Sequence, residues 1–233
     1  TAGLLVPLAC GATITYVEQL KGPELVGAMK ATGTTVMLVV PRLLAMMSDS
    51  IHAKIAAAGS TTRLMFRLLG GVSKLTGDRY ARQIFKRVHA EFGGRVRMFF
   101  SGASRLDVDV LESFRRLGFL VCEGYGMTET APVLTVNPPD RIKPESVGRP
   151  LPNVELELRG VNLEGVGEVW VRGDSVMRGY LKNIEATRDI LVDGWLRTGD
   201  LGRIDEDGYL FLTGRSKDLI ITSAGKNVYP DEV

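Results

Sequence analysis

The stretch CEGYGMTETAP, residues 122–132, gathers two glycines, an aromatic, two threonines and a carboxylate directly after the apolar run Phe119-Leu120-Val121. Glycines let the main chain approach a ligand closely, and threonine hydroxyls donate to phosphate oxygens. A carboxylate beside them can hold the hard cation that accompanies nucleotide phosphates, and Tyr125 offers a face on which a base stacks. A shorter polar string, SGAS (101–104), follows a second apolar run. Further on, Asp200 stands in a Thr-Gly-Asp turn and Arg215 follows Thr213-Gly214. A carboxylate acceptor and a rigid guanidinium fork suit ribose hydroxyls. Each residue has a plain alternative: Gly-Tyr-Gly as a tight turn, Tyr125 as a core aromatic, Asp200 as a turn residue, Arg215 as a surface cation.

The elements that must position these residues follow from apolar periodicity. ATITYVE (12–18) reads as a strand, PELVGAMKATG (23–33) as a helix ended by Gly33, and TTVMLVV (34–40) as a buried strand before a helix opened by Pro41. VRMFF (96–100) reads as a strand. Val108, Leu111, Phe114 and Leu117 then recur at helical spacing, with Gly118 as the stop before the strand FLVC (119–122). Strand, helix and strand joined by short links imply parallel pairing through right-handed crossovers, and in such sheets ligands bind at the C-terminal strand edge, where SGAS and GYGMTET (124–130) fall. The prolines of 138–152 interrupt regular structure. Beyond them VELELR, GEVWVRG and LGRIDEDGYLFLTG, with Asp207-Gly208 in a hairpin turn, read as a β-rich part. The expected fold class is α/β: part of a parallel doubly wound sheet over 1–145, a smaller, barrel-like β-rich subdomain over 146–214, and the start of a further domain over 215–233.

The 233 residues are 45% hydrophobic, enough for a substantial core, and 29 Lys plus Arg against 27 Asp plus Glu argues against a nucleic-acid partner. Cys10 and Cys122, both in apolar stretches expected to be strands, have neither metal-ligand nor disulfide spacing. His52 and His89 have no carboxylate or cysteine at useful spacing. The cysteine usage leads to the expectation of a cytoplasmic protein; the opening run GLLVPLACGATI, interrupted by Pro7 and Gly11, is too short to span a bilayer. Thr1 in place of Met, and a terminal YPDEV that reads as a helix beginning, lead to the expectation of a longer protein cut at both ends.

Four strings in order, EGYGMTET, SVGRPLPNVELEL with GEVWVRGDSVMRGYLKN, WLRTGDLGRIDEDGYLFLTGR, and RSKDLIITSAGKNVYPDEV, resemble the adenylate-forming superfamily of acyl-CoA synthetases, peptide-synthetase adenylation domains and luciferases. The region from PRLL to VRMFFSGAS, together with EGYGMTETAPV, is most similar to the long-chain fatty acyl-CoA synthetase branch, an AMP-forming acid–thiol ligase. The resemblance implies ATP or AMP, magnesium, CoA and a fatty acid as cofactors and partners. It places Glu123, Gly124, Tyr125 and Gly126 at the nucleotide, with Tyr125 against adenine. Thr128, on a phosphate, and Glu129, positioning magnesium, become the catalytic pair, and Asp200 and Arg215 hold the ribose. Gly102 and Ala103 line the adenine and acyl pocket, although SGAS departs from the commoner Gly-Gly-Ala-Pro. Lys217 matches the hinge of the C-terminal domain, where many relatives carry Asp. Ser223, Ala224, Gly225, Lys226 and Asn227 form the loop that meets the thiol acceptor.

The same resemblance calls for a Ser/Thr/Gly-rich phosphate loop ending in Pro-Lys-Gly and for a catalytic lysine, expected upstream of Thr1 and downstream of Val233. AAGSTTRLM (57–65) has the composition of that loop without its Pro-Lys, and reads as a decoy turn. Alternatives within the superfamily are an acyl-carrier-protein ligase and a fatty acyl-AMP ligase. The chain by itself also fits a non-catalytic nucleotide-binding module. Residues 61–97 carry Arg63, Arg67, Lys74, Arg79, Arg82, Lys86, Arg87, Arg95 and Arg97 against Asp78 and Glu91. With Tyr80, Ile84, Val88 and Phe92 as an apolar stripe, they fit either peripheral contact with an anionic inner-membrane surface or a packed helix with a solvated basic face.

Overall fold

The computed structural model describes residues 3–19, 21–57, 78–216, 220–221 and 227–228. By its internal contacts the chain divides into Thr1–Glu123 and Gly124–Val233.

In the first unit a short helix α1 (Leu5–Ala9) precedes α2 (Gly22–Thr32), which has Pro23 in its first turn and stops at Gly33 in the left-handed region, φ 63°. Strand β1 (Val36–Val39) leads into α3 (Pro41–Ala57). Helices α4 (Asp78–Ile84) and α5 (Lys86–Glu91) precede β2 (Met98–Ser101). Helix α6 (Val108–Arg116) is capped by Asp107, whose carboxylate accepts from Asp109 N at 2.7 Å, and feeds β3 (Leu120–Gly126). β1 pairs with β2, and β2 with β3, both parallel, with Val36 opposite Met98 and Met98 opposite Leu120. The crossovers implied by the sequence are therefore present. Leu44 of α3 and Phe114 of α6 are buried in one core with Phe92, Phe99 and Phe119, whose rings meet edge to face at 5.4–6.5 Å.

Three expectations are corrected in this unit. Residues 12–18 form no strand and Tyr16 is exposed, because among the described residues no strand pairs with them. Cys10 is exposed just after α1 instead of lying in a strand. β1 is buried only at Val39: it stands at the outer end of the strand order, and Val36 and Leu38 are exposed. The basic segment agrees with its packed-helix reading: Phe92 is buried and Ile84 and Val88 pack against the core, leaving Tyr80 exposed. Arg82 of the same segment donates to the carbonyls of Val96 and Gly94 at 2.7 and 2.8 Å. Arg63, Arg67 and Lys74, and all but the first residue of the 57–65 string, lie outside the described residues. Among the described residues no helix is long and apolar enough to cross a membrane. His89 is buried, its Nε2 2.8 Å from Leu117 O, and burial lowers its pKa. His52 Nδ1 lies 2.9 Å from Ser48 O.

In the second unit the end of β3 pairs antiparallel with β4 (Val133–Val136), which pairs with β5 (Arg149–Pro150). β6 (Val154–Arg159) and β7 (Gly167–Gly173) follow, then helix α7 (Ile184–Ile190), β8 (Leu191–Val192), β9 (Trp195–Ile204) and β10 (Leu210–Arg215). These strands form an antiparallel sheet in the order β10-β9-β7-β6, with β8 on β9. Two short strands, β11 (Ile220–Ile221) and β12 (Asn227–Val228), pair with each other. The β9–β10 hairpin turns as expected at Asp207-Gly208: Gly208 has φ 80° and its N–H donates to Asp205 O at 2.9 Å.

The division of the chain at Glu123–Gly124 falls ahead of the boundary expected at 145, because β4 contributes Leu134 to the same core as Val169, Val171, Leu196 and Leu210. The proline-rich stretch is ordered by buried polar groups. Asn137 Nδ2 donates to Ser146 O at 2.5 Å, and the Ser146 hydroxyl donates to Leu210 O at 3.0 Å. From the same stretch the Lys143 ammonium reaches Asp205 and, at 2.9 Å, Asp207, tying it to the hairpin turn.

Candidate functional site

Gly124, Tyr125 and Gly126, expected in a loop or a tight turn, are instead the end of β3, opposite Val136, Thr135 and Val133 of β4, with the register shifting after Tyr125. Glycine is required at 126 because a Cβ there would lie 1.7 Å from Pro132 O. Past Met127 the chain closes a 3-10 turn over Thr128–Thr130. Buried Thr130 holds that turn: Met127 N–H donates to its hydroxyl oxygen at 3.1 Å, and the carbonyls of Met127 and Pro132 lie within 2.9 and 3.0 Å of it. Ala131, at φ 57°, and a cis Ala131–Pro132 bond return the chain into β4. Thr128 is left exposed and Glu129 half-buried at the tip.

Asp200 and Arg215 are direct partners across β9 and β10. Arg215 Nε donates to Asp200 Oδ1 at 2.9 Å, and the Tyr125 hydroxyl donates to Asp200 Oδ2 at 2.5 Å. Burial first, and then the adjacent Asp200 charge, raise the Tyr125 phenol well above its usual range, so it stays a proton donor. Asp200 N–H donates to Thr198 Oγ1 at 3.1 Å, and the Thr198 hydroxyl donates to Val169 O at 2.8 Å. Gly199 turns the corner at φ 76° and its carbonyl accepts from Ser216 N at 2.8 Å. The three residues singled out in the sequence thus meet around one carboxylate, with the guanidinium on its solvent side. Such a group presents acceptors and N–H donors to vicinal hydroxyls beside an anchored aromatic ring.

Glu129 has a partner that the sequence reading missed. The Tyr180 hydroxyl donates to Glu129 Oε1 at 2.7 Å, and Met177 N–H donates to the Glu129 carbonyl at 2.7 Å. The signal was the MRGY string within GEVWVRGDSVMRGYLKN, but no local spacing ties it to Glu129. The Glu129 carboxylate and the Thr128 hydroxyl are hard oxygen donors that suit magnesium. Among the described residues no group of three His, Cys, Asp or Glu could hold a metal ion by itself. That donor set fits a cation whose remaining ligands are phosphate oxygens and water.

Gly102, Ala103 and Glu123 belong to the first unit. Gly102 and Ala103 follow β2 directly, with Ala103 exposed at φ 75°. Glu123 is buried opposite Ser101, whose hydroxyl has no hydrogen-bond partner among the described residues. Burial pushes the Glu123 carboxyl up to about 7, against the opposing pull of the Leu106 N–H and of Arg105. Lys217, Ser223, Ala224, Gly225 and Lys226 lie outside the described residues, and Asn227 opens β12 opposite Ile221.

A family model described as AMP-binding enzyme matches residues 1–181. Over 97% of this chain and 36% of its own length, the long-chain-fatty-acid–CoA ligase ACSBG2 of Rattus norvegicus is 34% identical. The long-chain-fatty-acid–CoA ligase FadD15 of Mycobacterium bovis is 37% identical over 69% of this chain and 26% of its own length. The chain therefore spans between about a quarter and about a third of these curated relatives. The structure of o-succinylbenzoate CoA synthetase (MenE) from Bacillus subtilis in complex with the acyl-adenylate intermediate OSB-AMP is similar with a TM-score of 0.74 at 25% identity, over 97% of this chain and 40% of that one. Parallel strands ending in a polar 3-10 turn, an antiparallel sheet carrying the paired Asp200 and Arg215, and these matches together make the chain a member of the AMP-binding enzyme family, with long-chain-fatty-acid–CoA ligases among its relatives.

Proposed function

We propose that the protein carrying this chain is an ATP-dependent acid–thiol ligase that activates a fatty acid as its acyl-adenylate and transfers the acyl group to CoA. The observation that carries the reading is the convergence of Tyr125 and Arg215 on Asp200, a preassembled nucleoside cradle in the unit that also bears Thr128 and Glu129. In the first step a substrate carboxylate oxygen attacks the α-phosphorus of ATP and pyrophosphate leaves. In the second the CoA sulfur attacks the acyl carbon and AMP leaves. Asp200 and Arg215 orient the ribose, Tyr125 lies against the base, and the Thr128 hydroxyl donates to a phosphate oxygen, so catalysis by these residues is mainly positioning. Glu129 would hold magnesium, which neutralises phosphate charge as pyrophosphate departs. Gly102 and Ala103 would border the base and acyl group. The names of the relatives support fatty acid as the carboxylate and CoA as the thiol.

The second half of the proposal assigns Lys217 as the hinge ahead of a C-terminal domain beginning near residue 215, and the segment Ser223–Asn227 as the part that meets the thiol. Proline fixes φ near −65°, so a hinge residue replaced by proline cannot change its backbone angles between steps. The test measures pyrophosphate release, ATP–pyrophosphate exchange and acyl-CoA formation on one preparation of the full-length protein with ATP, magnesium, a long-chain fatty acid and CoA. Both products are expected from the wild type. Lys217→Pro should keep most pyrophosphate exchange while losing at least about 10-fold in acyl-CoA formation. No fatty-acid-dependent pyrophosphate release overturns the ligase reading. Acyl transfer to a carrier protein and not to CoA corrects the acceptor, and equal loss of both steps in Lys217→Pro removes the hinge.

A further inference from the structure

Tyr180 has 39% of its surface exposed, yet it is held in place from several directions. Its N–H donates to Thr187 Oγ1 at 2.9 Å, the Thr187 hydroxyl donates to Asn183 O at 2.7 Å, and Asn183 Oδ1 caps α7 by accepting from Ala186 N at 3.1 Å. The preceding Gly179 sits against Thr187 so closely that a Cβ would lie 2.7 Å from Thr187 Cγ2. The phenol is thus carried by the capped first turn of α7. From that mount it donates to Glu129 Oε1 at 2.7 Å, while Met177 N–H grips the Glu129 carbonyl from the same segment. One short stretch therefore holds both the main chain and the carboxylate of Glu129. Glu129 Oε2 has no hydrogen-bond partner among the described residues.

We propose that Tyr180 is a positioning residue for the Glu129 carboxylate, holding Oε1 so that the side chain is already ordered when Oε2 takes the divalent cation that accompanies the nucleotide. The inference rests on the reading of Glu129 as the magnesium carboxylate. The physical reason is entropic and electronic. A half-exposed glutamate must otherwise give up its side-chain freedom at the moment of binding. A fixed hydrogen-bond donor behind a metal ligand sets the ligand's orientation, and its removal typically costs about 10–100-fold in metal affinity. The competing account makes the same hydrogen bond a surface tie that merely pins residues 177–180, with no bearing on a metal.

The test uses the full-length protein, Mn2+ as probe and α,β-methylene-ATP as the nucleotide, with free Mn2+ counted by electron paramagnetic resonance. Tyr180→Phe removes only the hydroxyl. It should weaken Mn2+ binding by about 10-fold while leaving nucleotide affinity in EDTA and the melting temperature unchanged. Glu129→Gln should weaken Mn2+ at least as much, and adding Tyr180→Phe to Glu129→Gln should cost nothing further, since the phenol acts through the carboxylate. Unchanged Mn2+ affinity in Glu129→Gln defeats the metal reading of Glu129 and the proposal with it. Weakening in Glu129→Gln without weakening in Tyr180→Phe, or losses that simply add in the double variant, defeats the role of Tyr180 alone.

Discussion

Glu123 shows how a single buried group turns structure into pH dependence. Its carboxyl lies buried in the first unit, and burial, outweighing the Leu106 N–H and the Arg105 charge, raises its pKa from the ordinary 4.5 to about 7. Between those values the folded chain binds more protons at this site than the unfolded chain does. The stability contributed by the neutral carboxyl is therefore fully present below pH 4.5 and is lost as pH rises through 7, a change of about 3 kcal/mol. Glu123→Gln keeps the shape and cannot ionise. Urea unfolding at pH 5 and pH 8 should show the wild type losing up to about 3 kcal/mol more than Glu123→Gln across the interval, and identical losses would mean that the site stays solvated. Nothing in EGYGMTET distinguishes this carboxylate from Glu129, six residues further on. Their difference comes from β3, which buries Glu123 opposite Ser101, and from the 3-10 turn, which brings Glu129 to the tip.

The β3–β4 hairpin is the element on which the site depends, and its glycine at 126 tolerates far less than a glycine on a helix surface. A Cβ on Gly126 would meet the Pro132 carbonyl at 1.7 Å, backbone against backbone, with no side chain able to move away. Gly126→Ala should therefore open the hairpin and cost more than about 2 kcal/mol in urea unfolding, accompanied by loss of AMP binding. Gly27 is exposed within α2, and a Cβ added there would have nothing within 4 Å, so Gly27→Ala should be neutral or stabilise by up to about 1 kcal/mol. Equal effects at the two positions would contradict this reading of the hairpin. Helix limits such as Gly33 and Gly118 were legible because caps are local chemistry. The strand character of Gly124–Gly126 was not, because glycine-rich residues signal turns until a partner strand supplies their hydrogen bonds. Residues 12–18 show the converse, with strand-forming side chains and no strand to pair with among the described residues.

Across the whole molecule there are two separate cores, one centred on Phe92, Phe99, Phe114 and Phe119, the other on Leu134, Val169, Val171, Leu196 and Leu210. Phe99 is fully buried against the other three rings, and Phe99→Ala should cost the first core about 3–5 kcal/mol. Trp170 and Trp195, the chain's two tryptophans, both lie in the second unit, whereas α2, α3 and α6 lie in the first. Helical circular dichroism in Phe99→Ala should therefore melt at lower urea than tryptophan fluorescence does, and coincident transitions would show one cooperative unit. By itself the sequence determined the α/β class, the parallel crossovers, the Asp207-Gly208 hairpin and the family, since all of these are written in periodicity, turn chemistry and ordered local motifs. Only the tertiary structure decided that Tyr125, Asp200 and Arg215 share one carboxylate, that Tyr180 reaches Glu129, and that the stripe of Ile84, Val88 and Phe92 faces the core. Those contacts join residues far apart in the chain, or choose which face of a helix is covered, and both are settled by what packs against each element and not by the element's own residues.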